Sequence, residues 1–330
     1  MQVGSVWDAV GNTPLIKIKS LSEITGCEIF AKVEFLNPGG SIKDRAAKGM
    51  IQQAEESGEL QEGGVIVEGT AGNTGIGLAT LAAERGYKLI ITMPETQSDE
   101  KFQTLESLGA DVRRIGSHSF DDNRHYYHQA RIIAEQTPGG FWANQFENTA
   151  NQWIHFTTTG PEIWEQMNGK IDILSLAAGT GGTIGGVSQY LKEQDNSIQV
   201  VLSDTQSSSL YGYIKNGKLN GEGSSITEGI GISRLTANFK MAQIDDAMRV
   251  TDQQMLDMVY HIAKYDGLLI GTSSGVNLYG AYSLGLKNKN SGKRIVTFIC
   301  DHGSRYQSRI FNKKWLDSKG LKPGNAELKG

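Results

Sequence analysis

Residues 171–186 read IDILSLAAGTGGTIGG, and this stretch decides the fold. Ile171–Ala177 is an apolar run without alternation, bounded by glycine, as expected of a central strand covered on both faces. A glycine-rich turn follows, and Thr183–Glu193 then reads as a helix. A strand that passes through such a turn into a helix presents unpaired backbone N–H groups, with the positive end of the helix dipole behind them. Thr180 and Thr183 add hydroxyl donors. The combination suits a phosphate. A dinucleotide fingerprint, G-x-G-x-x-G, needs glycine where Ile184 stands, although Asp204 closes the next strand where a ribose-binding acid could sit. A tight turn without a ligand is the remaining alternative. A P-loop is excluded because no GK[ST] ends the run.

The same alternation extends in both directions. Gly64–Glu68 (GVIVE) reads as a buried strand, Asn73–Arg85 as a helix stopped by Gly86, and Lys88–Thr92 as a strand. Ser98 can cap a helix with Phe102, Leu105 and Leu108 on one face. Asp111–Ile115 is a short strand and Asp121–Glu135 a helical stretch. Downstream, Ile198–Ser203 and Arg294–Cys300 read as strands. Thr251 and Gln254 form a capping box before a helix whose Met255, Met258, Val259 and Ile262 share one face. Strands alternating with helices over short connections imply parallel sheets flanked by helices, an α/β fold, and two such runs imply two domains. The pattern breaks near 140–155, where TPGGFWANQFENTANQW intervenes.

Composition narrows the classes. The chain has 330 residues and a formal net charge of −4, with no basic block, which argues against a nucleic-acid footprint. Two distant cysteines, Cys27 and Cys300, offer no disulfide framework or CxxC pair and fit a reducing compartment. No apolar run is long enough for a membrane span, and the opening MQVGSVWDAVGNTPL lacks signal-peptide character. Cytoplasmic residence is therefore expected. Glycine is abundant, 41 residues or roughly one in eight against a usual ~7%. It clusters at 39–40, 71–77, 179–186 and 271–275, where bare backbone can approach a ligand.

Two further segments carry chemistry. Glu68–Gly77 (EGTAGNTGIG) joins a strand to a helix and offers Thr70, Asn73 and Thr74 among small residues. Such a loop can wrap a carboxylate; it can equally be a helix start capped by Asn73 or Thr74. In Asn37–Arg45 (NPGGSIKDR), Ser41 is a suitable cap for a helix containing Lys43. A helix N-terminus and burial both favour the neutral form of a lysine amine, the form a nucleophile or base needs. A solvated helix lysine is the plainer alternative. His125 and His128 are spaced for one helix face, but no third ligand accompanies them, so no metal site is expected.

The order of these motifs resembles the cysteine synthase and cystathionine β-synthase family of pyridoxal-phosphate (PLP) enzymes. The resemblance runs from GNTPL at 11–15 through NPGGSIKDR at 37–45, TAGNTG at 70–75 and MPET at 93–96. NQFEN at 144–148, TTGPEIW at 158–164, GTGGT at 179–183, EGIG at 228–231 and SSG at 273–275 follow. It implies the tryptophan synthase β-like fold. In that arrangement 36–150 forms a smaller, mobile domain with the substrate loop, and 1–35 with 151–330 a larger one with the phosphate loop. It implies that Lys43 bonds covalently to the cofactor and that Asn73 meets its phenolic oxygen. Gly179, Thr180, Gly181, Gly182 and Thr183 would hold its phosphate, and Ser273 would face its pyridine nitrogen. Thr70, Gly72, Asn73, Thr74 and Gln145 would bind the substrate carboxylate.

The expected reaction converts O-acetyl-L-serine and sulfide to L-cysteine and acetate. A lyase on the same scaffold, a desulfhydrase or a cystathionine-forming enzyme, is the alternative, with a non-catalytic PLP-binding regulator and an NAD oxidoreductase behind it. A homodimer is expected, and some family members bind the C-terminal tail of serine acetyltransferase. The chain departs from the family at two places. Ala71 replaces a common serine in the substrate loop, and Cys300-Asp301-His302-Gly303 stands where Pro-Ser-Ser-Gly is frequent. Asp301 could protonate the pyridine nitrogen and favour desulfuration, or it could point at a backbone turn or at Arg305.

Overall fold

The computed structural model describes residues 2–70, 72–324 and 327–328. The fold is α/β, and the described strands form two sheets. Six strands make the larger: β1 (Leu15–Lys17), β2 (Glu28–Val33), β7 (Ile173–Leu176), β8 (Gln199–Thr205), β9 (Asp246–Val250) and β10 (Arg294–Ile299), in the order β1-β2-β10-β7-β8-β9. Only the edge pair β1–β2 is antiparallel; the other pairings are parallel. The smaller sheet, all parallel, runs β5-β4-β3-β6, from β3 (Val65–Gly69), β4 (Lys88–Pro94), β5 (Asp111–Ile115) and β6 (Gly140–Trp142).

The period of two along each strand divides the core of the larger sheet. Ile173, Val201, Ile295 and Ile299 pack on one face against the Asp252–Tyr265 and Thr272–Lys287 helices. Leu174, Leu176, Val200, Leu202, Val296 and Phe298 face the other way, toward the Gly182–Gln194 helix. All four residues of β7 are buried, which is why its sequence reads as an unbroken apolar run. The smaller sheet builds its own core from Ile66, Leu89, Ile91, Met93 and Phe141. Its edge strand β5 shows Arg113 and Arg114 to solvent, a charged edge that resists further pairing.

Most of the expected elements lie where the pattern puts them, including the capping box of Thr251 and Gln254. The differences have local causes. The helix expected over 121–135 begins at Tyr126, because Asp122 and Arg124 close a turn and the His125 ring accepts the N–H of Tyr127. Gly72, not Asn73 or Thr74, is the N-cap of the Asn73–Arg85 helix. Ser98 sits at its cap position without a side-chain cap bond, and Leu108 lies beyond the helix end, exposed rather than packed with Phe102 and Leu105. A strand, β6, occupies part of the segment where the pattern breaks.

Candidate functional site

Both sheets end their strands toward one cavity of about 230 Å³. The cleft outside the carboxyl ends of parallel strands is where α/β folds bind ligands. From the larger sheet, β7 runs out into 177–181 and the Gly182–Gln194 helix begins there. From the smaller sheet, β3 runs out into the 70–72 loop and the Asn73–Arg85 helix. Lys43 opens a third helix, Lys43–Ser57, with its backbone N–H on the Ser41 hydroxyl at 3.2 Å.

The 179–183 turn is shaped for an anion. Gly181 has φ +87°, and a Cβ there would come within 2.5 Å of the Phe239 backbone. A Cβ on Gly179 would meet the Gly229 carbonyl oxygen, and one on Gly182 the Asn151 amide. The first N–H of this helix turn to reach a carbonyl is that of Gly185, on Gly181, which leaves the Thr183 and Ile184 N–H groups for a ligand, that of Gly182 being on Thr180 Oγ1. Thr180 Oγ1 accepts from Asn151 Nδ2 at 2.9 Å and from the Gly182 N–H at 3.4 Å, so its own hydrogen is free for an anion in the cavity. Thr183 Oγ1 lies 3.2 Å from His155 Nε2, whose other nitrogen is 2.8 Å from Thr159 Oγ1. Burial holds His155 well below its ordinary pKa, with Arg45 and Lys43 adding to the shift. A neutral ring that takes the Thr159 hydrogen at Nδ1 and gives Nε2–H to Thr183 turns the Thr183 hydrogen toward the cavity.

Lys43 faces this turn across the cavity. Burial lowers the pKa of its amine, against the opposing pull of Cys300 and Asp301. Among the described residues no hydrogen bond reaches it. A half-buried lysine amine without a partner, opposite a cradle of anion donors, fits a phosphorylated aldehyde such as PLP. Ser273, at the start of the Thr272–Lys287 helix, lines the same cavity. Asn277 fixes that wall: its Oδ1 accepts the Ala177 N–H at 2.7 Å and its Nδ2 donates to Phe298 O at 3.0 Å.

On the opposite wall stand Thr70, Gly72, Asn73, Thr74 and Gln145. Thr74 donates to Gln145 Oε1 at 2.6 Å, and Gln145 Nε2 donates to Glu68 Oε1 at 3.0 Å and to Gly69 O at 3.3 Å. Burial pushes the Glu68 carboxyl up to about 8. Ala71 lies outside the described residues. Of the residues expected to hold cofactor or substrate, Gly182 stands behind the cavity wall rather than on it, packed on Asn151, and the others line the cavity.

Asp301 Oδ2 accepts from Asn73 Nδ2 and from the Tyr306 hydroxyl, both at 2.7 Å, while its Oδ1 lies against the backbone at Gly271, in keeping with the backbone-turn alternative; no bond to Ser273 or Arg305 is present among the described residues. Asp204 turns away from the cavity and accepts the Tyr211 N–H, which removes the ribose-binding role. Cys300 lines the cavity, but burial raises its thiol to about 12, with Asp301 adding to the effect.

Several residues of the site carry no motif signal. Lys101 and Arg309 both pair with the Glu228 carboxylate across the cavity mouth. Glu228 belongs to the EGIG segment, but its partners are remote in sequence, Lys101 on the Asp99–Ser107 helix and Arg309 in the turn after Tyr306. Behind Lys43, a buried quartet of Lys32, Glu34, Arg45 and Glu162 ties its helix to the GNTPL segment through Thr13.

Comparison with known proteins places this geometry. A family model described as "Pyridoxal-phosphate dependent enzyme" matches residues 6–301. Cysteine synthase 1 of Neurospora crassa is 47% identical over 318 residues, 95% of this chain and 84% of that protein. Cysteine synthase 1 of Emericella nidulans is 46% identical over 97% of this chain and 88% of that protein. Among solved structures, an O-acetylserine dependent cystathionine beta-synthase from Helicobacter pylori superposes with a TM-score of 0.84 at 31% identity, covering 94% of this chain and 98% of that one.

Proposed function

The chain belongs to the pyridoxal-phosphate dependent enzyme family, and we propose from that premise that Lys43 is its catalytic amine. It is a cysteine synthase, a transferase that converts O-acetyl-L-serine and sulfide to L-cysteine and acetate. The observation that carries the Lys43 assignment is the half-buried, unpartnered amine facing the 179–183 turn.

PLP, when bound, supplies the electron sink that accepts charge from the substrate Cα. The protein's part is binding, orientation and one proton. The N–H groups of Gly179, Thr180, Gly181 and Thr183 and the two threonine hydroxyls would hold the phosphate, while Gly182, its N–H on Thr180 Oγ1, shapes the turn from behind. Asn73 meets the phenolic oxygen, and the Ser273 hydroxyl faces the pyridine nitrogen. A hydroxyl there, rather than a carboxylate, suits elimination over transamination. Thr70, Gly72, Asn73 and Thr74 receive the substrate carboxylate, Asn73 and Thr74 through their backbone N–H groups, because the Thr74 hydroxyl gives its hydrogen to Gln145 Oε1 and so ties the loop to Gln145. Burial favours the neutral form of the Lys43 amine, the form that can take the Cα proton as acetate leaves Cβ. Residues 36–150 act as the smaller, mobile domain that brings the substrate loop to the cofactor, against a larger one of 1–35 and 151–330. The chain works as a homodimer in the cytoplasm, where its two free cysteines are at home. No helix among the described residues is long and apolar enough to cross a membrane. Binding of a serine acetyltransferase tail in the active-site cavity belongs to the same reading.

The test is an absorbance scan of the PLP-loaded protein before and after O-acetylserine, then sulfide. A visible-edge band absent from Lys43→Ala, altered by O-acetylserine and restored by sulfide with cysteine formed, supports the reading. A band unchanged in Lys43→Ala overturns the lysine assignment. Restoration by L-homocysteine but not by sulfide overturns the choice of nucleophile.

A further inference from the structure

The Asn73 amide is held from both ends by the segment that follows β10. Its Nδ2 donates to Asp301 Oδ2 at 2.7 Å, and its Oδ1 accepts from Arg305 Nη1 at 2.7 Å. Asn73 starts a helix of the smaller sheet, whereas Asp301 lies just past Cys300 after β10 of the larger one. These bonds cross the cleft.

Asp301 is itself fixed. It is fully buried, and its Oδ2 takes a second bond from the Tyr306 hydroxyl. Its Oδ1 lies so close to Gly271 that a Cβ there would stand 2.0 Å away. Gly271 is the N-cap of the sixteen-residue Thr272–Lys287 helix, whose positive end favours a carboxylate. The backbone agrees: Gly271 N–H donates to Asp301 O at 3.2 Å, and Ser41 bridges Asp301. Arg305 also donates to the Gly39 carbonyl, so the Asn37–Arg45 segment that ends in the Lys43 helix shares the anchor.

The consequence lies in counting hydrogens. An asparagine amide has two N–H donors and one carbonyl oxygen. Arg305 takes up the oxygen and Asp301 one N–H, which leaves one N–H, with its direction fixed by amide planarity, on a residue that lines the cavity.

We propose that Asp301 is a positioning residue: it locks the Asn73 amide so that the free N–H is presented to the phenolic oxygen of the cofactor. This rests on the PLP reading above. The departure from the family's Pro-Ser-Ser-Gly thus serves the phenolic-oxygen side of the cofactor, not the ring nitrogen. What Asp301 must supply is an acceptor oxygen at the Oδ2 position.

The experiment compares the parent, Asp301→Ala and Asp301→Asn, all PLP-loaded. Three readouts are taken: the visible absorption band and its pH profile, the PLP dissociation constant, and kcat and KM for O-acetylserine. In Asp301→Ala the amide is free to rotate. The band moves, the PLP dissociation constant changes by less than threefold because the 179–183 turn is intact, and kcat falls on the order of tenfold with KM little changed. In Asp301→Asn the new side-chain oxygen accepts from Asn73, and band and kcat recover most of the loss. An unmoved band and kcat in Asp301→Ala would refute the proposal. Equal impairment of both variants would also refute it, since charge and not an acceptor would then matter. Should Asp301→Ala not fold, Asp301→Asn still decides: a rate as low as that of Lys43→Ala contradicts the acceptor role. A parent without any PLP band overturns the proposal together with the functional reading; a parent with a normal band and indifferent Asp301 variants overturns the proposal alone.

Discussion

Replacing Glu34 by glutamine should damage this protein more than the loss of any single surface charge, and the structure gives the size of the effect. Glu34 and Arg45 are fully buried and doubly bonded, Nε to Oε2 at 2.8 Å and Nη2 to Oε1 at 3.0 Å. Arg45 also makes two 2.7 Å bonds to Glu162, and Lys32, likewise buried, reaches Glu162 at 2.6 Å. The quartet has two positive and two negative members. Burial pushes the Glu34 carboxyl up, but the Arg45 guanidinium pulls it further down, so it stays ionised. Glu34→Gln leaves one buried positive charge without a counterpart. Removing one partner of a buried pair costs about 3–5 kcal/mol, which for a chain of this size lowers the melting midpoint on the order of 10 °C.

The double variant Glu34→Leu/Arg45→Met sharpens the test. It removes one charge of each sign and leaves the Lys32–Glu162 pair intact, so it should cost less than Glu34→Gln alone. Calorimetry of the three proteins reads the comparison. Activity should fall in the single variant as well, because Arg45 lies two residues beyond Lys43 on one helix. A melting midpoint within about 2 °C of the parent for Glu34→Gln, or a double variant that costs as much as Glu34→Gln, would refute the reasoning. The pH dependence carries the same sign: a carboxyl lowered by folding stabilises above its unfolded pKa. That stability is lost as acid carries the pH down through the lower, folded value.

Glu68 should behave in the opposite way. Its carboxyl is raised from 4.5 to about 8, so its contribution to stability is full below 4.5 and fades as pH rises toward 8. Glu68→Gln should therefore match the parent near pH 5 and melt higher at pH 8.5; parallel melting curves would sink this account. Gly181→Ala should weaken PLP binding at least tenfold, since a left-handed residue costs roughly 1–2 kcal/mol and its Cβ would also strike the Phe239 backbone. Gly86→Ala, at φ +74° with nothing within 4 Å, carries the same strain and should leave PLP affinity alone, as equilibrium dialysis would show. With its thiol at about 12, Cys300 is ionised in roughly one molecule in ten thousand at pH 8. Iodoacetamide should leave it unlabelled in the native protein, and stoichiometric labelling on the mass spectrum would contradict the burial argument.

What the sequence made legible follows from the range of the interactions involved. The turn at 179–183 could be read because its needs are local: glycine where φ is positive or backbone approaches, threonine where a hydroxyl must donate. Lys43 could be read because its helix start lies within three residues of it. The Leu108 expectation failed for an equally local reason, since periodicity alone does not say that the helix stops at Ser107. The partners of GNTPL were not legible. Thr13 means little until Glu34 and Arg45 stand beside it, and those contacts span 21 and 32 residues.

Asp301 marks the limit most clearly. Its strangeness was visible as a departure from a pattern, and an acid near a pyridine ring suggested a proton donor. The direction of its carboxylate, however, depends on Asn73, 228 residues earlier in the chain, and on Tyr306, which follows in the next turn. The same residue type at the same place therefore does different work according to which wall of the cleft it faces. With Asp301 turned to Asn73, Ser273 is the residue proposed to face the pyridine nitrogen, which would give a weak electron sink suited to replacement at Cβ. Had the carboxylate faced Ser273, the same sequence would have argued for desulfuration. The proposed role thus hangs on the direction of one buried side chain, and Asp301→Asn is the substitution that separates its geometry from its charge.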